Sequence, residues 1–306
     1  MLHLLSVGTL VLASSLWGAW APDVPRTQLE AKYGADTQLR LQPGVQIHYK
    51  DTGPKDAPVV LMLHGFGSSL QTWDQWAAKL ETQYRVIRPD LPGFGLSGPR
   101  TDRDYSEEAD VVVLRQFLDA LDIKQLAVIG HSMGGKMAWT LAAAEPERVT
   151  KLVLMAPDGY PDVKDIGSRP YAMPAAMGVI QYFLPKYFVR KSIEPAFANP
   201  QTINDALIDR YDDMLKAPGV RGAILDRAQQ TIYSDPVPRL KSIKAPTLLL
   251  WGEQDQMIPS GNAQRYASQL VNVKTVLIPQ LGHVLQEEQP EKGLMEIKAF
   301  LKEQQR

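Results

Sequence analysis

Leu126-Ala-Val-Ile-Gly130-His-Ser132-Met-Gly134-Gly-Lys-Met-Ala-Trp-Thr-Leu-Ala-Ala-Ala144 is the stretch from which the fold is read. Its first four residues are apolar and partly β-branched, as in a buried strand. Its last ten read as a helix. Ser132 falls between the two, on a sharp turn that Gly130 and Gly134 allow without Cβ clashes. A serine in that setting is a nucleophile elbow: its hydroxyl is held out at the end of a sheet, above the N-terminus of the next helix. The pentapeptide alone says little, because roughly one chain in ten of this length would carry G-x-S-x-G by chance. The strand–turn–helix setting removes most accidental matches and points to a covalent hydrolase. A triad then needs a histidine and a carboxylate, each at the end of its own strand.

Both are found downstream. After the apolar run Thr247-Leu-Leu-Leu-Trp251 comes Gly252-Glu-Gln-Asp255, and after Lys274–Ile278 comes Pro279-Gln-Leu-Gly-His283. Asp255 and His283 therefore lie just past strand C-terminal ends, the edge of an open parallel sheet where ligands bind. Ser132 lies at the same edge, in the chain order Ser–Asp–His. In this reading His283 takes the proton of Ser132 and Asp255 fixes the imidazole. Asp158, after the strand Leu152–Met155, is the alternative acid. The oxyanion donors are the Met133 N–H, at the helix start, and the Phe66 N–H in His64-Gly-Phe66-Gly67, directly after the strand Val59–Leu63. His64 and His131 sit inside other motifs and support loop geometry. His48 and Asp90 read as structural.

The rest of the chain fits that frame. Apolar strands at Val59–Leu63, Arg85–Arg88, Leu126–Ile129, Leu152–Met155, Thr247–Trp251 and Val276–Ile278 alternate with helical segments, which implies a parallel sheet covered on both faces. Leu39 to Tyr49 alternates around Pro43-Gly44 as a hairpin. Ser106 is an expected N-cap for a helix through Leu121. The alternation stops between Asp158 and Pro236, which reads as a helical insertion. There Met173, Met177, Ile180 and Phe183 recur at spacings of three and four, an apolar face expected to roof the site and suit acyl chains.

Composition bounds the rest. The 306 residues carry a formal net charge of −1, with 44% hydrophobic and 22% charged residues. No basic field for nucleic acid is present. There is no cysteine, and the five histidines never fall at short ligand spacing, so no metal or cofactor is expected. Residues 1–21 hold no Asp, Glu, Lys or Arg and are long enough to span a bilayer, so they read as a signal or anchor segment, with membrane attachment or export. The expected division is a leader 1–21, a connector 22–37, a core 38–157 and 237–306, and a cap or lid 158–236.

His64-Gly-Phe-Gly67, Asp90-Leu-Pro-Gly-Phe-Gly-Leu-Ser97, Gly130-His-Ser-Met-Gly-Gly135, Trp251-Gly-x-x-Asp255 with Pro259, and Gly282-His283 occur in order. From about Leu39 to its C-terminus the chain resembles the α/β-hydrolase superfamily. It is most similar to capped bacterial serine esterases and lipases, and also to the meta-cleavage-product C–C hydrolases. The resemblance implies hydrolysis of a small-molecule or lipid ester, with C–C bond hydrolysis as the alternative and a catalytically silent binding protein as the alternative from another class. Haloalkane dehalogenases and epoxide hydrolases share most of these motifs but use an aspartate nucleophile, and Ser132 argues against both.

Overall fold

The computed structural model describes residues 21–34, 37–41, 44–161, 166–167 and 175–303. Eight strands form one sheet: β1 Thr37–Leu41, β2 Val45–Thr52, β3 Val59–Leu63, β4 Arg85–Pro89, β5 Leu126–His131, β6 Val149–Met155, β7 Thr247–Gly252 and β8 Val273–Ile278. Their order is β1-β2-β4-β3-β5-β6-β7-β8. From β4 to β8 the strands are parallel, and β1 and β2 form an antiparallel hairpin on the edge. The chain moves from β3 outward to β4 and then returns past β3 to β5. The loops after β3 and β5 therefore flank the point where the winding reverses, the usual crevice of such a sheet.

Alternate residues of the same strands feed two cores. Leu61, Leu63, Val128, Leu152, Leu154, Leu249 and Trp251 point to one face. Val60, Met62, Ala127, Ile129, Val153, Met155, Leu248 and Leu250 point to the other. Period-two side chains that are apolar on both faces force helices onto both. The first face is covered by the helices Glu107–Ala120 and Met133–Ala144, the second by Asp74–Leu80 and Pro290–Lys302. The Ser106 hydroxyl accepts from the Ala109 N–H, with Glu107 and Glu108 in the first turn of that helix, as its sequence predicts.

Among the described residues, the insertion between Asp158 and Pro236 contributes helices and 3-10 turns but no strand to the sheet. The apolar series is broken at Pro185, as a proline there implies: a 3-10 segment Ala175–Gln181 is followed by the helix Lys186–Ile193, with Pro185 as its N-cap. Proline cannot continue a helix through its own position, so the chain restarts there.

The connector is a docked element. It holds a two-turn helix, Arg26–Tyr33, whose Leu29 is buried against Leu96, Ala217 and Val220. The Val24 N–H donates to Lys216 O at 2.8 Å, and Asp23 pairs with Arg221 at 2.7 Å. One buried residue in eight leaves no helical period to read, so only packing against the cap reveals this helix. Among the described residues no helix is long and apolar enough to cross a membrane. The segment expected as signal or anchor lies outside them, except for Ala21, which is buried with its N–H on Tyr182 O.

The start of the helix after β5 is tightly packed against the β3 strand end. A Cβ on Gly134 would lie 2.3 Å from Leu63 O and 2.4 Å from His64 O. Gly134→Ala should therefore destabilise the protein by about 1–3 kcal/mol in urea unfolding. Gly178→Ala, where a Cβ meets nothing within 4 Å, should stay within about 0.5 kcal/mol of the parent. Equal stability of the two variants would contradict this packing.

Candidate active site

Ser132 sits at φ 53, in the left-handed region that a residue with a Cβ seldom adopts. The turn is over-determined by its backbone. The Ser132 N–H donates to Met155 O at 3.0 Å, and Ser132 O accepts from Lys136 N at 3.0 Å and Asp158 N at 2.9 Å. Strain of this kind persists only where surrounding structure enforces it. The loop after β3 presses on the same point, since a Cβ on Gly65 would come within 3.2 Å of the Ser132 Cβ.

His283 and Asp255 meet, as their strand-end positions imply. His283 Nδ1 lies 2.7 Å from Asp255 Oδ2, and both side chains are buried. The other Asp255 oxygen accepts the Met257 and Ile258 N–H groups at 2.8 and 2.9 Å. With its oxygens engaged in this way, the carboxylate has one orientation, and it holds the proton of His283 on Nδ1. His283 Nε2 is then an acceptor. Asp158 is not the partner of this histidine. Its Oδ1 accepts the Gly159 N–H at 2.6 Å, and the residue lines a cavity instead.

His131 braces His283. Their rings lie 4.6 Å apart, and His131 Nε2–H donates to the His283 carbonyl at 2.9 Å. Gln286 donates to His131 Nδ1 at 3.4 Å and to the Thr72 hydroxyl at 3.1 Å. Thr72 donates in turn to Glu287, which also receives Arg210 and Tyr211 from the cap helix Asp205–Leu215. Burial, and then the neighbouring His283, hold the His131 imidazole well below its usual pKa, so it stays neutral. His64 is likewise neutral because of burial. Its Nδ1–H donates to Gly65 O at 2.8 Å while Nε2 accepts the Leu91 N–H at 2.9 Å, which ties the β3 loop to the β4 loop.

A second buried histidine–carboxylate pair is structural. His48 Nδ1 lies 2.8 Å from Asp90 Oδ2, and Asp90 also accepts the Leu70 and Leu96 N–H groups. Burial pushes the Asp90 carboxyl up, but His48 and the Leu70 N–H bring it below the usual carboxylate range. It is the hub of the glycine-rich turn that follows β4.

Among the described residues, no backbone carbonyl accepts from the N–H of Phe66 or of Met133. Both residues line a cavity of about 500 Å³.

The cap side of the cavity mixes ionic and apolar residues. On the cap side its lining runs through Arg227, Ala228 and Gln230 to Tyr233, and Glu107, Asp110, Lys136 and Asp158 lie around it. Ile180 and Phe183 are half-buried and are not among the described residues that line it. Met173 lies outside the described residues, as does the side chain of Met177. The sequence held one usable signal for the ionic wall: Lys136 is one turn beyond Ser132, and Met133, Lys136, Met137 and Thr140 share a helix face. Among the described residues, no group of three or more His, Asp or Glu side chains could hold a metal ion.

Known proteins give the same outline. Residues 58–290 match the family described as alpha/beta hydrolase fold. The chain is 31% identical over 258 residues to the 2-hydroxy-6-oxononadienedioate/2-hydroxy-6-oxononatrienedioate hydrolase of Paraburkholderia xenovorans (strain LB400), covering 81% of this chain and 88% of that one. It is 27% identical to epoxide hydrolase 3 of Xenopus tropicalis, over 93% of this chain and 83% of that one. Among solved structures, a membrane phospholipase A described as a bacterial virulence factor superposes with a TM-score of 0.75 at 26% identity, covering 98% of each chain.

The two neutral histidines make stability depend on pH. In the unfolded chain they titrate near 6.5, and in the folded protein both lie lower. Below about pH 6.5 the unfolded chain takes up protons that the folded protein refuses. Their contribution is therefore complete above about pH 6.5 and is lost as pH falls toward the folded values, by up to about 1.4 kcal/mol per pH unit for each histidine. Urea unfolding at pH 7.5, 6.0 and 5.5 measures this, and stability that holds or rises on acidification would refute it.

Proposed function

The chain belongs to the alpha/beta hydrolase fold family, and from that premise we propose that it is a serine carboxylic-ester hydrolase working through an acyl-enzyme. The observation that carries this reading is the Asp255–His283 pair at 2.7 Å, on the same sheet edge as a Ser132 held at φ 53. His283 Nε2 accepts the Ser132 proton as Oγ attacks the ester carbonyl carbon. The Phe66 and Met133 N–H groups receive the oxyanion. Collapse of the tetrahedral adduct expels the alcohol, which takes the proton back from His283. Water then repeats the cycle on the acyl-enzyme, releasing the acid and restoring the serine. Asp255 stabilises the imidazolium in both halves. No cofactor enters this scheme.

Hydrolysis of a C–C bond beside a carbonyl is the second reading. It is supported by the 31% identical relative named for that class of substrate and by the charged residues within the cavity's lining. An aspartate nucleophile of the kind expected in epoxide hydrolases has no counterpart at position 132. The uncharged run 1–21 supports a place at the membrane or beyond it; cell fractionation with and without that segment tests this, and an unchanged soluble distribution would count against it.

A panel of p-nitrophenyl esters of rising acyl length, run beside a vinylogous 1,5-diketone ring-cleavage product, separates the two chemistries. Ester turnover abolished by Ser132→Ala is the expected result; turnover of the diketone alone would transfer the assignment to the second reading. Asp255→Asn should cost about 10⁴-fold in kcat, and Asp158→Asn less than about tenfold. The reverse ranking would move the triad acid to Asp158.

A further inference from the structure

The helix after Ser132 lays one face along the cavity. Met133 marks the end near the nucleophile, and Lys136 follows one turn, about 5 Å, further on. The Lys136 side chain is only 15% exposed, and its ammonium lies 3.0 Å from Glu107 Oε2. Glu107 also carries Arg239. Deeper in the wall, Arg227 holds Asp110 through two nitrogens, at 2.6 and 3.0 Å. Glu107, Arg239, Arg227 and Asp110 are thus largely engaged within the wall.

Two charges are left facing the cavity with capacity to spare. The Lys136 ammonium has three N–H donors, and among the described residues Glu107 is its one ion-pair partner; the ammonium also lies 5.9 Å from the centre of the Tyr233 ring. Asp158 uses Oδ1 on the Gly159 N–H, and among the described residues no hydrogen-bond donor or cation is placed on its Oδ2. The two side chains line the same cavity without forming an ion pair. Burial lowers the Lys136 ammonium, and Asp158 is the first charge to oppose that, so the two feel each other across the gap.

We propose that this gap is a specificity subsite for a neutral hydrogen-bonding group on the substrate, a hydroxyl foremost, which accepts from Lys136 and donates to Asp158. The proposal rests on Ser132 acting as an ester hydrolase. The alternatives fit less well. A carboxylate end would gain Lys136 but meet the Asp158 charge. An ammonium end would gain Asp158 but meet Lys136. A methyl end would strip water from both and return no hydrogen bond, which is costly for buried charges. A hydroxyl is both donor and acceptor and leaves the local charge balance unchanged.

The test compares matched esters. On the acyl side these are the p-nitrophenyl esters of 6-hydroxyhexanoate, hexanoate and adipate (as the half-ester). On the alcohol side they are hexanediol monoacetate and hexyl acetate. In at least one series kcat/KM should favour the hydroxyl compound over the methyl compound by about tenfold or more. Lys136→Met should collapse that ratio. Asp158→Asn keeps the shape of the side chain and removes its charge, so it should raise turnover of the adipate half-ester relative to hexanoate by about tenfold. Preference for the methyl or carboxylate compound in the parent protein would overturn the subsite. So would ratios that stay fixed in both variants while circular dichroism shows them folded. If none of these esters is turned over, the nucleophile reading itself fails and takes the subsite with it, an outcome distinct from ester turnover without hydroxyl preference.

Discussion

Everything in the site depends on one backbone constraint, the left-handed turn at Ser132. A non-glycine residue at φ 53 costs free energy, on the order of 1–3 kcal/mol for such strained positions. The turn is held because its neighbours leave no room for another path. Gly134 lets the helix start pass against the β3 carbonyls, and Gly130 does the same for the Gly134 carbonyl, 2.3 Å from where its Cβ would be. Hydrogen bonds to Met155 and Asp158 fix the turn from the β6 side. Met133 opens the helix that follows the turn, so its N–H has no intrahelical partner.

Around that turn, three loops are cross-linked by neutral histidines. His64 ties the β3 loop to the β4 loop, and His131 ties the elbow to the His283 loop. Burial keeps both uncharged, which suits the proposed chemistry, in which an imidazolium forms on His283. A second cation 4.6 Å away would oppose that step. The cap joins the same network through Arg210, Tyr211 and Glu287, so the lid rests on the loop that carries His283.

Much of this was legible from residue order. The alternation of apolar strands and helical segments, the Ser106 cap and the strand-end placement of Asp255 and His283 are local features, and the structure reproduces them. The cap resisted reading. Pro185 divides the apolar series, as a proline there implies, but a period of three and four does not say which residues meet the cavity. Among the described residues the cap contributes Arg227–Tyr233 to the cavity wall and not Ile180 or Phe183, and the helix of that stretch shows little apolar pattern. Paired charges such as Arg227–Asp110, 117 residues apart, leave no mark on local periodicity.

The sequence by itself determined the parallel sheet, the elbow, and which serine, aspartate and histidine end their strands at one edge, because each follows from short-range rules of period, turn and cap. Only the tertiary structure decided between Asp255 and Asp158 as the histidine's partner, since both follow a strand and the choice rests on which carboxylate comes within 2.7 Å of the imidazole. Only the tertiary structure turned the connector into a helix docked on the cap and gave the cavity its ionic wall. Those features rest on contacts between segments far apart in the chain, where the fate of a charge is set by the partner that packing brings to it.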